Sequence, residues 1–164
     1  MMTYLITFAC YGLRLHGNES GSVGRKHNLF GSRVLAIDTE RVSAEKELMD
    51  QPSYALDGDR RAAVLQALRE VCLHRGWNLL AAHVRSTHVH VVVEANARPE
   101  KVMNGLKSYA SRALNRLGKD KIGSKRWARH GSTQWLWNPK DVSAAIRYVV
   151  EGQGDPMAIF GEAR

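Results

Sequence analysis

Two histidines and one tyrosine have the type and spacing that suit chemistry. The histidines sit two apart in Thr87-His88-Val89-His90-Val91-Val92-Val93, and the tyrosine, Tyr109, follows further along the chain. In a strand, side chains alternate faces, so both imidazoles point the same way. Two neutral imidazoles on one face can hold one divalent cation. A cation beside a positioned tyrosine can cut a phosphodiester and keep one end on the protein. The plainer alternative for the pair is two half-exposed histidines hydrogen-bonded at a sheet edge. The apolar residues around them predict partial burial, and partly buried polar groups need partners, of which a metal is an effective one. Tyr109 also has a plain alternative, as a packing residue with its hydroxyl at the surface. A phenol with a pKa near ~10 is a poor nucleophile at neutral pH. A nearby cation favours the phenolate and polarises the phosphate, so each feature supplies what the other lacks.

The elements that must position these residues can be read from local patterns. Residues 3–11 (TYLITFACY) are aromatic, β-branched and apolar, and predict a buried strand ending at Gly12. Residues 12–56 predict an irregular, basic insertion broken by Gly17, Gly21, Gly24 and Gly31. Within it, 33–37 predict a short strand and 43–49 a helical turn or two. Residues 57–76 predict a helix with Asp59 as N-cap, an apolar stripe of Val64, Leu65, Leu68, Val71 and Cys72, and Gly76 past its end. Residues 77–85 and 88–95 predict two strands joined by a short Arg85-Ser86-Thr87 turn. A second helix is predicted over 99–117, with Pro99 at its start and Val102, Leu106, Tyr109, Ala113 and Leu117 at helical spacing. A basic linker follows, then a strand over 132–137. A third helix over 139–151 follows Asn138-Pro139, and residues 152–164 predict a loose tail. Without the insertion the order is β-α-β-β-α-β plus a last helix. That order predicts a ferredoxin-like α+β sandwich with an antiparallel sheet and helices on one side.

The 164 residues suit a single domain spanning 1–164 and long enough to bury a core. No apolar run approaches the ~20 residues of a membrane helix, and the first residues do not read as a signal peptide. Cys10 and Cys72 lack metal-type spacing and predict reduced, buried thiols in a cytoplasmic protein. The net charge of +8 favours a polyanionic partner, most simply nucleic acid, over a merely soluble basic surface.

THVHVVV is similar to the His-hydrophobic-His (HUH) motif of single-tyrosine transposases from small bacterial insertion sequences, whose domesticated branch is the REP-associated tyrosine transposases. YLITFACYG resembles that family's first strand, and LKSYASRALN resembles the helix carrying its tyrosine. HGSTQWLW, with a following helix that contains Arg147-Tyr148-Val149, resembles its C-terminal segment. The resemblance implies that Tyr109 attacks a phosphate of single-stranded DNA, forms a 5′-phosphotyrosine and releases a 3′-OH. It implies Mg or Mn held by His88 and His90, folded DNA hairpins at element ends as substrate, a homodimer, and association with the nucleoid when bound. The family's third metal ligand, Gln or Asn one turn after the tyrosine, falls here on Ala113, which cannot ligate. His83 is a possible substitute; Asn115 lies on another helix face, and Glu94 is four residues beyond His90.

Arg85 or Thr87 is expected to touch phosphate or orient an imidazole, against ordinary turn chemistry as the alternative. Lys107, Arg112 and Arg116 could bind backbone phosphates or form a solvated helix face. Trp135 and Trp137 alternate onto one strand face, for core packing or base stacking. Two other functions compete with strand transfer. A non-catalytic nucleic-acid-binding module or remnant shares the element order, but the middle strand offers no Phe or Tyr for stacking. A replication- or relaxase-type nickase has the same core but usually a larger chain.

Overall fold

The computed structural model describes residues 1–12 and 51–163, so the predicted elements at 33–37 and 43–49 lie outside the described residues. Eight elements follow in order: β1 (Met2–Ala9), α1 (Gly58–Arg75), β2 (Asn78–Val84), β3 (His88–Ala95), α2 (Pro99–Leu117), β4 (Ser132–Leu136), α3 (Pro139–Glu151) and β5 (Ala158–Phe160). The sheet order is β4-β1-β3-β2-β5, with every pairing antiparallel. Its first four strands are the predicted ferredoxin-like α+β sheet. β5 is an addition: the expected loose tail instead pairs Ala158, Ile159 and Phe160 with β2.

Alternation along β3 separates the two sheet faces. Val89, Val91, Val93 and Ala95 join Ile6 and Phe8 of β1 in the larger core. α1 and α2 cover that face through Val64, Leu68, Val71, Val102, Leu106, Ala110 and Leu114. The other face carries Leu5, Ala81, Val92 and Leu136, which pack against Ala145, Ile146 and Val149 of α3. The helices therefore do not all lie on one side, as the order alone suggested. α1 and α2 share one face, and α3 covers the other.

Local chemistry accounts for the helix ends. The α1 cap is Asp57, not Asp59: its carboxylate accepts from the Arg60 backbone N–H at 3.0 Å. Gly76 closes α1 in the left-handed region at φ 70, where a Cβ would be strained. Asn138 caps α3 by accepting from the Asp141 N–H at 3.0 Å. The buried stripe of α2 is Val102, Met103, Leu106, Ala110, Ala113 and Leu114, while Leu117 is exposed and Tyr109 only half-buried. The end of the predicted insertion belongs to the core. Tyr54 and Leu56 are buried, and their backbone N–H groups donate to Tyr11 and Ser86 carbonyls. Cys10 and Cys72 are buried free thiols, and burial pushes both up to about 12. Among the described residues, no helix is long and apolar enough to cross a membrane.

Candidate active site

His88 and His90 occupy alternate positions of β3, so both lie on the α3 face, with rings nearly parallel at 10° and centroids 6.2 Å apart. Strand register builds the floor around them. Ser132, Thr7, His90, His83 and Ile159 form one level across all five strands. His90 is 5% exposed, and its Nδ1 lies 3.1 Å from the Thr7 hydroxyl. His88 is half-buried, and its Nδ1 lies 2.6 Å from the Thr87 hydroxyl. Each imidazole thus turns the same nitrogen toward a threonine, and in the tautomer whose Nδ1–H donates to that hydroxyl, Nε2 is the nitrogen that carries the lone pair.

α3 brings a tyrosine to this pair. The Tyr148 ring meets the His90 ring edge-on, with centroids 5.9 Å apart and planes at 83°. Its neighbours Ile146 and Val149 are buried against the sheet, while Arg147 and Tyr148 are exposed. Gly152 ends the helix immediately after: its N–H donates to the Tyr148 carbonyl at 3.1 Å, and a Cβ there would lie 2.8 Å from that oxygen.

Tyr109 is not part of this assembly. It lies on α2, packed against the core on the opposite sheet face, with the Arg112 guanidinium 4.4 Å over its ring and the His74 ring 6.2 Å away. Ala113, at the position where the resemblance placed a third ligand, is buried on that same helix. Arg112 and Arg116 are exposed on the same layer, remote from the histidine face. Lys107 is not a solvated cation: its ammonium donates to the Ala128 and His130 carbonyls at 3.2 and 2.6 Å, and desolvation pushes its pKa down to about 8.

His83 shares the histidine face, but both of its ring nitrogens are engaged. Nδ1 donates to the Val149 carbonyl at 3.0 Å, and Nε2 accepts the Met157 N–H at 3.0 Å. This fully buried imidazole ties the end of α3 to β2 and has no lone pair left for a metal. Burial pushes its pKa down, the Val149 carbonyl opposes that, and Arg85 reinforces it. Arg85 itself donates to the Asp155 carbonyl at 2.8 Å, fastening the same segment. The predicted third ligand His83 is therefore a structural clasp. Among the described residues, no group of three or more His, Cys, Asp or Glu side chains could hold a metal. Two imidazoles remain, a donor set that suits a divalent cation completed by water and substrate oxygens.

Sequence reasoning did not single out Tyr148, which the structure brings beside His90. Its signal was present in Arg147-Tyr148-Val149, a helical segment following a strand, but periodicity does not say which sheet face a helix will cover.

Comparison with known proteins adds the lineage. No curated protein matches the chain. A solved structure described as a REP-associated tyrosine transposase bound to a REP hairpin is similar over 92% of this chain and 66% of that one, with 12% identity and a TM-score of 0.50. This chain thus spans slightly less than two thirds of that protein. A putative transposase from Deinococcus radiodurans R1 aligns over 93% of this chain and 90% of that one, with 17% identity and a TM-score of 0.43. The first likeness is one of fold. The sequence model described as "Transposase IS200 like" matches residues 52–138, more than half of the chain, including the histidine pair and ending just before α3. By that match, the chain belongs to the IS200-like transposase family.

Proposed function

We propose that this protein is a single-strand DNA transposase that cuts and rejoins through Tyr148, with His88 and His90 holding a divalent cation, Mg or Mn. The observation that carries this reading is the convergence of both imidazoles and the Tyr148 ring on one sheet face. Held by His88 and His90, such a cation would supply positive charge to the scissile phosphate. The protein's own side chains do the rest. Thr7 and Thr87 steady the imidazoles that would hold the cation, and α3 places the Tyr148 phenol beside His90. The Tyr148 oxygen forms a bond to phosphorus as the bond to the 3′-oxygen breaks. The phenol proton leaves to solvent, and the departing 3′-oxygen takes one up, giving a 5′-phosphotyrosine and a 3′-OH. Attack by a 3′-OH on that linkage reverses the step and rejoins DNA.

The similar transposase solved with a bound REP hairpin supports a DNA hairpin as partner, and the charge of +8 suits it. A homodimer, implied by the family resemblance, belongs to the same proposal.

The experiment is incubation with labelled single-stranded hairpin DNA from the flanks of the protein's own gene, with and without Mn²⁺, followed by denaturing electrophoresis. A metal-dependent covalent band is expected for the wild type and for Tyr109→Phe, and none for Tyr148→Phe. A band lost in Tyr109→Phe and kept in Tyr148→Phe would return the nucleophile to α2. Native complexes without any covalent band would identify a DNA-binding remnant.

A further inference from the structure

Trp135 and Trp137 flank the end of β4 and stay outside the core: Trp135 is 37% exposed and Trp137 67%. Sequence alternation left core packing open for them, and the structure removes it. Their rings stack with planes 9° apart and centroids 5.2 Å apart. Trp135 is held edge-on by Tyr4, at 4.9 Å and 84°, and the Tyr4 hydroxyl donates to the Ala97 carbonyl at 2.8 Å. The indoles are thus ordered by the protein itself, which removes much of the rotamer entropy a partner would otherwise have to overcome. Aromatic side chains of this size are usually well buried, so an ordered, outward stack needs an account.

We propose that the Trp135–Trp137 stack is a platform for an unpaired nucleobase of single-stranded DNA, separate from the strand-transfer site. It deepens the single-strand DNA reading above and rests on it. One face of Trp137 covers Trp135, and its outward face takes the base. A nucleobase fits because every base presents a flat π face, which makes the contact tolerant of sequence. The neighbourhood also suits the attached phosphates. Lys140 is exposed on the first turn of α3, three residues beyond Trp137. Arg98, exposed at the start of α2, directly follows the carbonyl that holds Tyr4. Three carboxylates share the area: Glu100, whose charge acts on Tyr4, Asp141, which accepts from Asn138, and Glu94, which lines a pocket with Trp137 and accepts from Asn78 at 3.0 Å.

Register separates this platform from the reaction. Leu136 pairs at the level of Thr3, whereas His90 lies at the level of Thr7. At about 3.4 Å per residue and about 4.8 Å per strand, Trp137 is on the order of 20 Å from His90, around the β4 edge. The base it takes therefore belongs to DNA flanking the hairpin, not to the scissile step.

Equilibrium binding of labelled hairpins with and without a single-stranded flank, in metal-free buffer, tests this without any cleavage. Trp137→Ala should weaken binding to the flanked hairpin roughly tenfold, and Trp137→Phe should retain most of the affinity because a phenyl ring still stacks. Without the flank, or with abasic sites in it, wild type and Trp137→Ala should bind equally. Equal affinity for the flanked hairpin would overturn the platform while leaving a Tyr148 adduct untouched. A wild-type dimer that Trp137→Ala dissociates in sedimentation would also overturn it, by making the stack a contact between copies. Platform behaviour without any covalent adduct would instead sink the strand-transfer reading and keep this one.

Discussion

A threonine hydroxyl lies beside Nδ1 of each site histidine, at 3.1 Å for His90 and 2.6 Å for His88. An imidazole whose Nδ1–H donates to an oxygen carries its lone pair on Nε2, and it is held from rotating. Thr87, the residue before His88, and Thr7, on the neighbouring strand, each place a hydroxyl where it can accept such a bond. Valine keeps the β-branched shape of threonine and removes only the hydroxyl. Thr7→Val and Thr87→Val should therefore each lower Mn²⁺ affinity by roughly 10- to 100-fold, read by titration calorimetry. Nitrogen-edited NMR of the metal-free protein should show the ring tautomer shifting in the same variants. Unchanged affinity and tautomer in both variants would mean that the hydroxyls only fill space. His83 makes the contrast: a carbonyl on one side and an N–H on the other consume both of its nitrogens, so an imidazole on the same face is purely structural.

At the scale of elements, the β-α-β-β-α-β order was legible because each element has a strong local signal, such as the β-branched run of β3 or Asn138-Pro139 before α3. What was not legible is relational. Helical spacing marks a stripe but not its centre: Tyr109 fits the α2 period, yet the buried centre runs one residue over, through Met103, Ala110 and Leu114. Nothing in a periodicity says that α3 crosses to the other face, which is why Tyr148 went unassigned. β5 is three residues long, too short to show alternation, and exists because β2 offers an edge. A polar knot outside the site is similarly invisible in sequence. Asp120 accepts from the Tyr54 hydroxyl at 2.7 Å, from Arg60 at 2.8 Å and from Arg126 at 3.0 Å, joining the β1–α1 connection, α1 and the α2–β4 connection. Burial pushes its carboxyl up, but these donors outweigh that and hold the pKa below its usual value. A carboxyl depressed on folding contributes stability fully above its unfolded pKa of about 3.9, and loses it as pH falls through the folded value. Asp120→Asn should cost about 2 kcal/mol at neutral pH, because the partly buried Arg60 and Arg126 lose a charged acceptor, although Arg60 keeps its pairing with Asp57 at 2.8 Å. Urea unfolding of both proteins should show that gap narrowing below pH ~4.

The whole molecule divides its labour between the two faces of one sheet. The α1–α2 face holds the larger core and the exposed cations Arg112 and Arg116, while the α3 face holds the histidines, Tyr148 and Arg147. A net charge of +8 would draw the proposed DNA partner to the protein as a whole, but only cations lying along the bound strand release counterions from its phosphates. The two faces should therefore respond differently to neutralisation. Binding of the hairpin should weaken linearly on a logarithmic plot against salt. Arg147→Gln, on the Tyr148 helix, should flatten that slope by about one and weaken binding on every hairpin sequence alike. Arg112→Gln with Arg116→Gln removes twice the charge from the opposite layer and should leave the slope nearly unchanged. The reverse pattern would place the DNA across α1 and α2, and with it Tyr109 rather than Tyr148 beside the scissile phosphate. A slope of zero in the wild type would remove electrostatics from recognition altogether, because phosphate contacts cannot form without displacing counterions.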